Sequence, residues 1–167
     1  MSSSRSRVKI GYMLIERRKG ENMADIGILT RNYKVHLDNA IQSGRSVTFC
    51  SNSRWVAATD ALTDGKSVDL YFVVAGGSGT VEYQGTLNDT LLTPIEDTDA
   101  AEKLLANAPD GSAREGLNSG AVKTLYSVTD LRKLQTAFSQ TELLKLSNGK
   151  PVSDAYDRGY CVVYPYE

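Results

Sequence analysis

With 167 residues, 41% hydrophobic and 23% charged, the chain has the length of one domain and the composition of an ordinary globular protein. A core of that size buries roughly two-thirds of the unfolded surface, so neither a disulfide nor a metal is needed to hold it. The charge of −1 is uneven: residues 1–22 carry six basic side chains (Arg5, Arg7, Lys9, Arg17, Arg18, Lys19) against Glu16 and Glu21, a net of +4, which leaves −5 on the remainder. An acidic body argues against strong non-specific binding to phosphate backbones, while leaving room for a small pocket that reads one base.

No apolar run approaches the ~18 residues of a membrane span, and Met1-Ser-Ser-Ser-Arg-Ser-Arg lacks the apolar stretch of a signal peptide. The expectation is a cytoplasmic protein without a membrane partner. Cys50 and Cys161 each sit in an apolar, strand-like run, so two reduced thiols are expected. With His36 they make only three of the four ligands of a structural zinc site, and no CxxC or HxxxH pair anchors one. The residues call for no metal and no cofactor.

Residues 1–22 read as a basic N-terminal extension around Val8–Ile15, an edge strand or an ordered arm. Met23 is an alternative start, and Ala24–Thr30 leads into the body. From Asn32 the spacing of Val35, Ala40 and Ile41 predicts a helix stopped at Ser43-Gly44. Strand signals follow at Ser46–Cys50, Trp55–Ala58 and Val68–Ala75, the last separated by Gly76-Gly-Ser-Gly79 from Thr80–Leu87 as in a hairpin. Asp99-Ala-Ala-Glu102 has the pattern of a capping box for a helix to Asn107, ended by Pro109. Residues 109–120 read as a loop and Ala121–Val128 as a strand. Thr129 is placed as the cap of a short helix Asp130–Leu134. Ser139-Gln-Thr-Glu142 opens a further helix to Asn148-Gly149, and Tyr160–Tyr164 is the final strand. Without regular βαβ alternation, the class is α+β: a mixed or antiparallel, barrel-like sheet flanked by two to four short helices.

The candidate sites are few. Gly76-Gly-Ser-Gly79 lacks the Gly-Lys-Ser/Thr of a phosphate loop and is followed by a strand, so it reads as a turn. His36, the sole histidine, has no GxSxG elbow to serve. Asp97, Asp99 and Glu102 lack calcium-loop spacing and are better explained by helix capping, and Asp60 and Asp64 are turn residues. More informative is Asn52-Ser53-Arg54-Trp55, which sets an amide, a hydroxyl, a cation and an indole within four residues. An unstacked base needs a flat aromatic face for affinity and polar groups for identity. Trp55 is therefore the candidate stacking platform, Asn52 and Ser53 the edge readers and Arg54 the phosphate contact. Burial of Trp55 in the core is the competing reading.

Gly65-Lys-Ser-Val-Asp-Leu-Tyr-Phe-Val-Val with Val81-Glu-Tyr-Gln-Gly-Thr-Leu resembles the hairpin of the PUA-like superfamily, which includes the EVE, YTH, ASCH and SRA domains. Lys123-Thr-Leu-Tyr-Ser-Val-Thr-Asp-Leu-Arg-Lys-Leu, Phe138-Ser-Gln-Thr-Glu-Leu, Asn148-Gly-Lys-Pro-Val-Ser and Gly159-Tyr-Cys-Val-Val are similar to the closing section of EVE-like members. The resemblance covers residues 65–87 and 123–163. It implies one PUA-like α+β domain over 23–167, with a cleft that holds a modified or flipped-out base. One tryptophan cannot build the aromatic cage of YTH readers, and the Gly-x-Lys-x-x-Glu signature of ASCH domains is absent, so amidohydrolase activity does not carry over. The expected function is a non-catalytic module recognising a modified base or nucleobase-like ligand, with nucleic acid or a modified nucleoside as partner. The alternatives are a protein-interaction or assembly domain using the basic arm, with a homo-oligomer as one outcome, and a small hydrolase with an unrecognised site.

Overall fold

The β-branched and aromatic runs of the chain form the strands, and its alanine-rich stretches pack on them as short helices. A computed structural model describes residues 23–166. The extension 1–22, with Val8–Ile15, lies outside the described residues. In chain order the elements are β1 (Ile26–Asn32), α1 (Lys34–Ser43), β2 (Val47–Ser51), α2 (Val56–Thr63), β3 (Val68–Val74), β4 (Thr80–Leu92), α3 (Thr98–Leu105), α4 (Ser112–Ser119), β5 (Thr124–Ser139), a 3-10 turn (Gln140–Glu142) and β6 (Cys161–Val163).

The six strands make one sheet in the order β2-β5-β4-β3-β1-β6. β1 runs parallel to β3, with Ile26 opposite Val68 and Asn32 opposite Val74, and every other pair is antiparallel. The expected α+β class is what forms, its sheet mixed and its short helices four, within the two to four expected. The barrel-like closure does not: β2 and β6 are separate edges, each covered locally. Thr48 N–H donates to Asn107 O (3.0 Å) beside β2, while Leu146 N–H donates to Val162 O (3.0 Å) beside β6.

The hairpin expected at Val68–Leu87 is present, and Gly76 and Gly79 turn its loop at φ +80° and +81°, where a Cβ would be strained. α1 ends at Gly44 in the left-handed conformation, as its Ser-Gly stop predicts. β4 alternates buried and half-buried residues up to Leu87 because each face meets a different layer.

Five sequence expectations are corrected. Trp55–Ala58 is no strand: Trp55 is the N-cap residue of α2, whose inward face is Ala58 and Ala61. Asp99 does not cap α3; Asp97 does, its side chain accepting from Ala100 N–H at 3.0 Å, while Glu102 instead pairs with Arg114. Residues 109–120 contain α4 rather than a continuous loop. The helices expected at 130–134 and from Ser139 are also absent. β5 continues through the first to Ser139, with Asp130 in the left-handed region (φ 54°) at a register shift against β4. A short polar side chain tolerates that conformation. Beyond it Ser139 caps only the 3-10 turn, accepting from Thr141 N–H.

One face of the sheet packs Ile28, Phe49, Leu70, Phe72 and Tyr126 against Leu37 of α1 and Ala58 of α2. The other gathers Leu29, Tyr71, Val81, Phe138 and Leu143. A smaller cluster of Leu104, Ala113, Val122 and Leu125 anchors α3 and α4 to β5.

Candidate functional site

Three chain segments meet at the open edge of β2 and enclose a recess of about 230 Å³. Asn32, the last residue of β1, and Tyr33 and His36 at the start of α1 form one wall. Thr48, Phe49 and Cys50 of β2 form the floor, and Pro109, Ser112 and Ala113 at the start of α4 close the far side. The parallel pairing of β1 with β3 sets this arrangement, because it ends β1 beside Ala75, whose N–H donates to Asn32 O at 2.8 Å.

Thr48 is fully buried, yet its Oγ1 has no hydrogen-bond partner among the described residues. A buried hydroxyl left without a partner costs about 1–3 kcal/mol, so a fold keeps one only at some expense. Asn32 Oδ1 accepts from Tyr33 N–H (2.8 Å), which leaves its Nδ2 hydrogens to donate. Tyr33 is 63% exposed, and its ring meets His36 edge-on at 5.9 Å. His36 Nε2 stands 3.6 Å from Asp110 Oδ2. Bonds from the Ser112 hydroxyl and backbone N–H hold the Asp110 carboxyl below its ordinary range. Burial pushes the Cys50 thiol up, so it lines the recess as a neutral group. An exposed aromatic rim over a mostly apolar recess with a few polar groups suits one small flat ligand.

The residues singled out from the sequence do not converge. Trp55 is fully buried, with Tyr126 stacked on one side at 4.1 Å and Tyr160 at 5.0 Å, each inclined by 22°. Its indole has no free face, so as a stacking platform Trp55 is corrected to a core residue. Burial likewise pushes the Tyr126 phenol up. Asn52 is exposed, and Ser53 is half-buried with its carbonyl accepting from Thr124 Oγ1 at 2.8 Å. Arg54 is exposed and donates from Nε to Thr93 O at 3.0 Å. None of the four lines the recess. Thr48, Asn32 and Tyr33 were not singled out, and the only sequence signal for them was a polar threonine inside the apolar run Val47-Thr-Phe-Cys50.

A larger cleft of about 460 Å³ lies between α3 and α4, walled by Pro94, Ile95, Leu105, Leu117 and Val122. Its Arg114 and Glu102 are paired at 2.8 Å through both oxygens, and it holds no orphaned buried polar atom among the described residues. Cys50 and Cys161 are free thiols, and no cluster of three His, Cys, Asp or Glu side chains able to hold a metal occurs among the described residues. No helix among them is long and apolar enough to cross a membrane.

No protein-family model matches the chain, and no curated protein matches it. Among solved structures the chain is similar to the YTH domain of the Zygosaccharomyces rouxii MRB1 protein in complex with N6-methyladenosine RNA, with a TM-score of 0.44 and 15% identity. The match covers 81% of this chain and 78% of that one. A likeness this distant transfers neither a site nor a ligand.

Proposed function

We propose that the protein is a non-catalytic binding module that holds one nucleobase-like ligand, a modified base of a nucleic acid, in the recess over β2. The observation that carries this reading is the buried, unpartnered Thr48 hydroxyl at a recess lined by the Asn32 amide and the Tyr33 ring. A ligand that supplies the missing hydrogen bond recovers the cost of burying that hydroxyl, and this favours a heterocycle with polar edges over a purely apolar group. Tyr33 serves as the aromatic platform in place of Trp55, and stacking one base on such a ring is worth roughly 1–3 kcal/mol. A nucleic-acid strand leaving the recess along β2 passes the exposed Asn52 and Arg54, which keeps Arg54 as the phosphate contact. With a body of net charge −5, affinity resides in the pocket and falls only gently with salt.

The test is calorimetric titration of the full chain with modified nucleosides and short oligonucleotides at two salt concentrations, followed by Thr48→Val. The variant keeps the side-chain shape and removes the hydroxyl. Without ligand it is as stable as the parent or more so, because an unsatisfied group has gone, and it binds about tenfold more weakly. Equal affinity in Thr48→Val and the parent removes the recess from the site.

A further inference from the structure

The cleft between α3 and α4 is apolar inside and acidic at its rim. Ile95, Leu105 and Leu117 stand half-buried along its walls, with about 460 Å³ of open space between them. Residues 93–123, which build it, carry Glu96, Asp97, Asp99, Glu102, Asp110 and Glu115 against Lys103, Arg114 and Lys123. That is a net of −3, more than half of the −5 on the body. Glu102 is paired with Arg114 and Asp110 stands beside His36, but Glu96, Asp97, Asp99 and Glu115 have no cationic partner among the described residues. An apolar surface ringed by unpaired acids suits a segment that is apolar in its middle and basic at both ends.

Residues 5–19 have that pattern: Arg5 and Arg7 precede Val8-Lys-Ile-Gly-Tyr-Met-Leu-Ile15, and Arg17, Arg18 and Lys19 follow it. We propose that this segment of the same chain docks in the cleft, its apolar side chains against Ile95, Leu105 and Leu117 and its basic flanks over the acidic rim. The reach is sufficient. Ile26 pairs with Val68, and Asp69 with Thr86, so β1 begins level with Leu87 of β4, two strand spacings away. Spacings of about 4.8 Å, and a rise of about 3.4 Å for each residue from Leu87 to Thr93, put the mouth of the cleft about 22 Å from Ile26. The chain from Ile15 to Ile26 spans up to about 36 Å. Leu144, Leu146 and Tyr164 form a second exposed apolar patch, beside β6, but Lys145 and Lys150 accompany it and repel a basic segment. Charge therefore selects the cleft. Docking there also bears on the recess over β2, because α4 turns Leu117 to the cleft and Ser112 and Ala113 to the recess. A filled cleft braces that wall, whatever the recess binds.

The experiment compares three forms of the full chain: the parent, Ile10→Asp/Leu14→Asp, and Glu96→Gln/Asp99→Asn. The last pair leaves the Asp97 cap and the Glu102–Arg114 pair in place. Trypsin cleavage after Arg17 and Arg18 is followed by mass spectrometry, each rate taken relative to the free peptide of the same sequence. Cleavage of a docked segment tracks the fraction released. The expected rates are about tenfold higher in Ile10→Asp/Leu14→Asp and a few-fold higher in Glu96→Gln/Asp99→Asn, the second difference vanishing at high salt. Between the parent and Ile10→Asp/Leu14→Asp the backbone amides of Ile95, Leu105, Leu117 and Val122 shift, and the mass in solution stays that of one chain. Equal cleavage of the parent and either variant overturns the proposal. So do shifts centred on Leu144, Leu146 and Tyr164, or protection that disappears on dilution together with a dimer's mass, which assigns the segment to a second copy.

Discussion

Replacing Trp55 by alanine removes the centre of a three-ring stack, and the structure sets the scale of the loss. A fully buried indole takes about 200 Å² out of water, worth about 5 kcal/mol at ~25 cal/mol per Å². Each of its contacts with Tyr126 and Tyr160 adds about 0.5–1.5 kcal/mol. Against this, Trp55 Nε1 and Tyr126 Oη are both buried without partners among the described residues, and each such group costs about 1–3 kcal/mol. The balance lies near the 3–5 kcal/mol usual for large aromatic-to-alanine changes in cores. That is a large part of the ~5–15 kcal/mol that holds a domain folded. With a urea slope of about 2 kcal/mol per M, the midpoint falls by about 2 M. Urea titration followed by far-ultraviolet circular dichroism measures it, and the parent's Trp55 emission, blue-shifted and unquenched by iodide, gives an independent check. A midpoint unchanged in Trp55→Ala, or iodide quenching of the folded parent, would refute placement of this residue in the core.

Asp97→Ala loses the N-cap of α3 and destabilises by about 1 kcal/mol, whereas Asp99→Ala costs less; paired urea titrations separate the two. Gly85→Ala sets a Cβ 2.7 Å from Val128 Cγ1 and 3.3 Å from Thr129 O, and overpacking of this kind costs about 1–3 kcal/mol, read as a lowered melting temperature. In a Cys161→Ser background, alkylation of Cys50 is slow at neutral pH. Its rate still rises with pH above 9.0, the ordinary thiol value for that group, because burial disfavours the thiolate. Adding a nucleoside that binds slows it further, as mass spectrometry of the labelled peptide shows.

What the sequence revealed depended on how strongly each segment's two faces differed. The β3–β4 hairpin was legible because Val68–Val74 is almost wholly buried and glycines at positive φ punctuate its turn. α2 was misread because its inward face is Ala58 and Ala61, whose small side chains give little periodic contrast, while Trp55 and Val56 mimic a strand. The second half of β5 read as helix because β2 pairs only with Thr124–Val128, leaving residues beyond it largely exposed and rich in charge. β1 was passed over although Gly27 is required there: a Cβ would stand 2.5 Å from the Tyr71 ring. The site was least legible. Asn32, Thr48 and Ser112 come together only through the parallel β1–β3 pairing and the docking of α4, and no local pattern encodes either contact.

Placement of the ligand over β2 is tested by a backbone-amide NMR titration of the full chain with the modified nucleoside that binds most tightly. The expected shifts concentrate at Thr48, Phe49, Cys50, Asn32, Tyr33 and Ser112. Shifts centred on Ile95, Leu105 and Val122 in the cleft between α3 and α4, with the β2 amides unmoved, would contradict it.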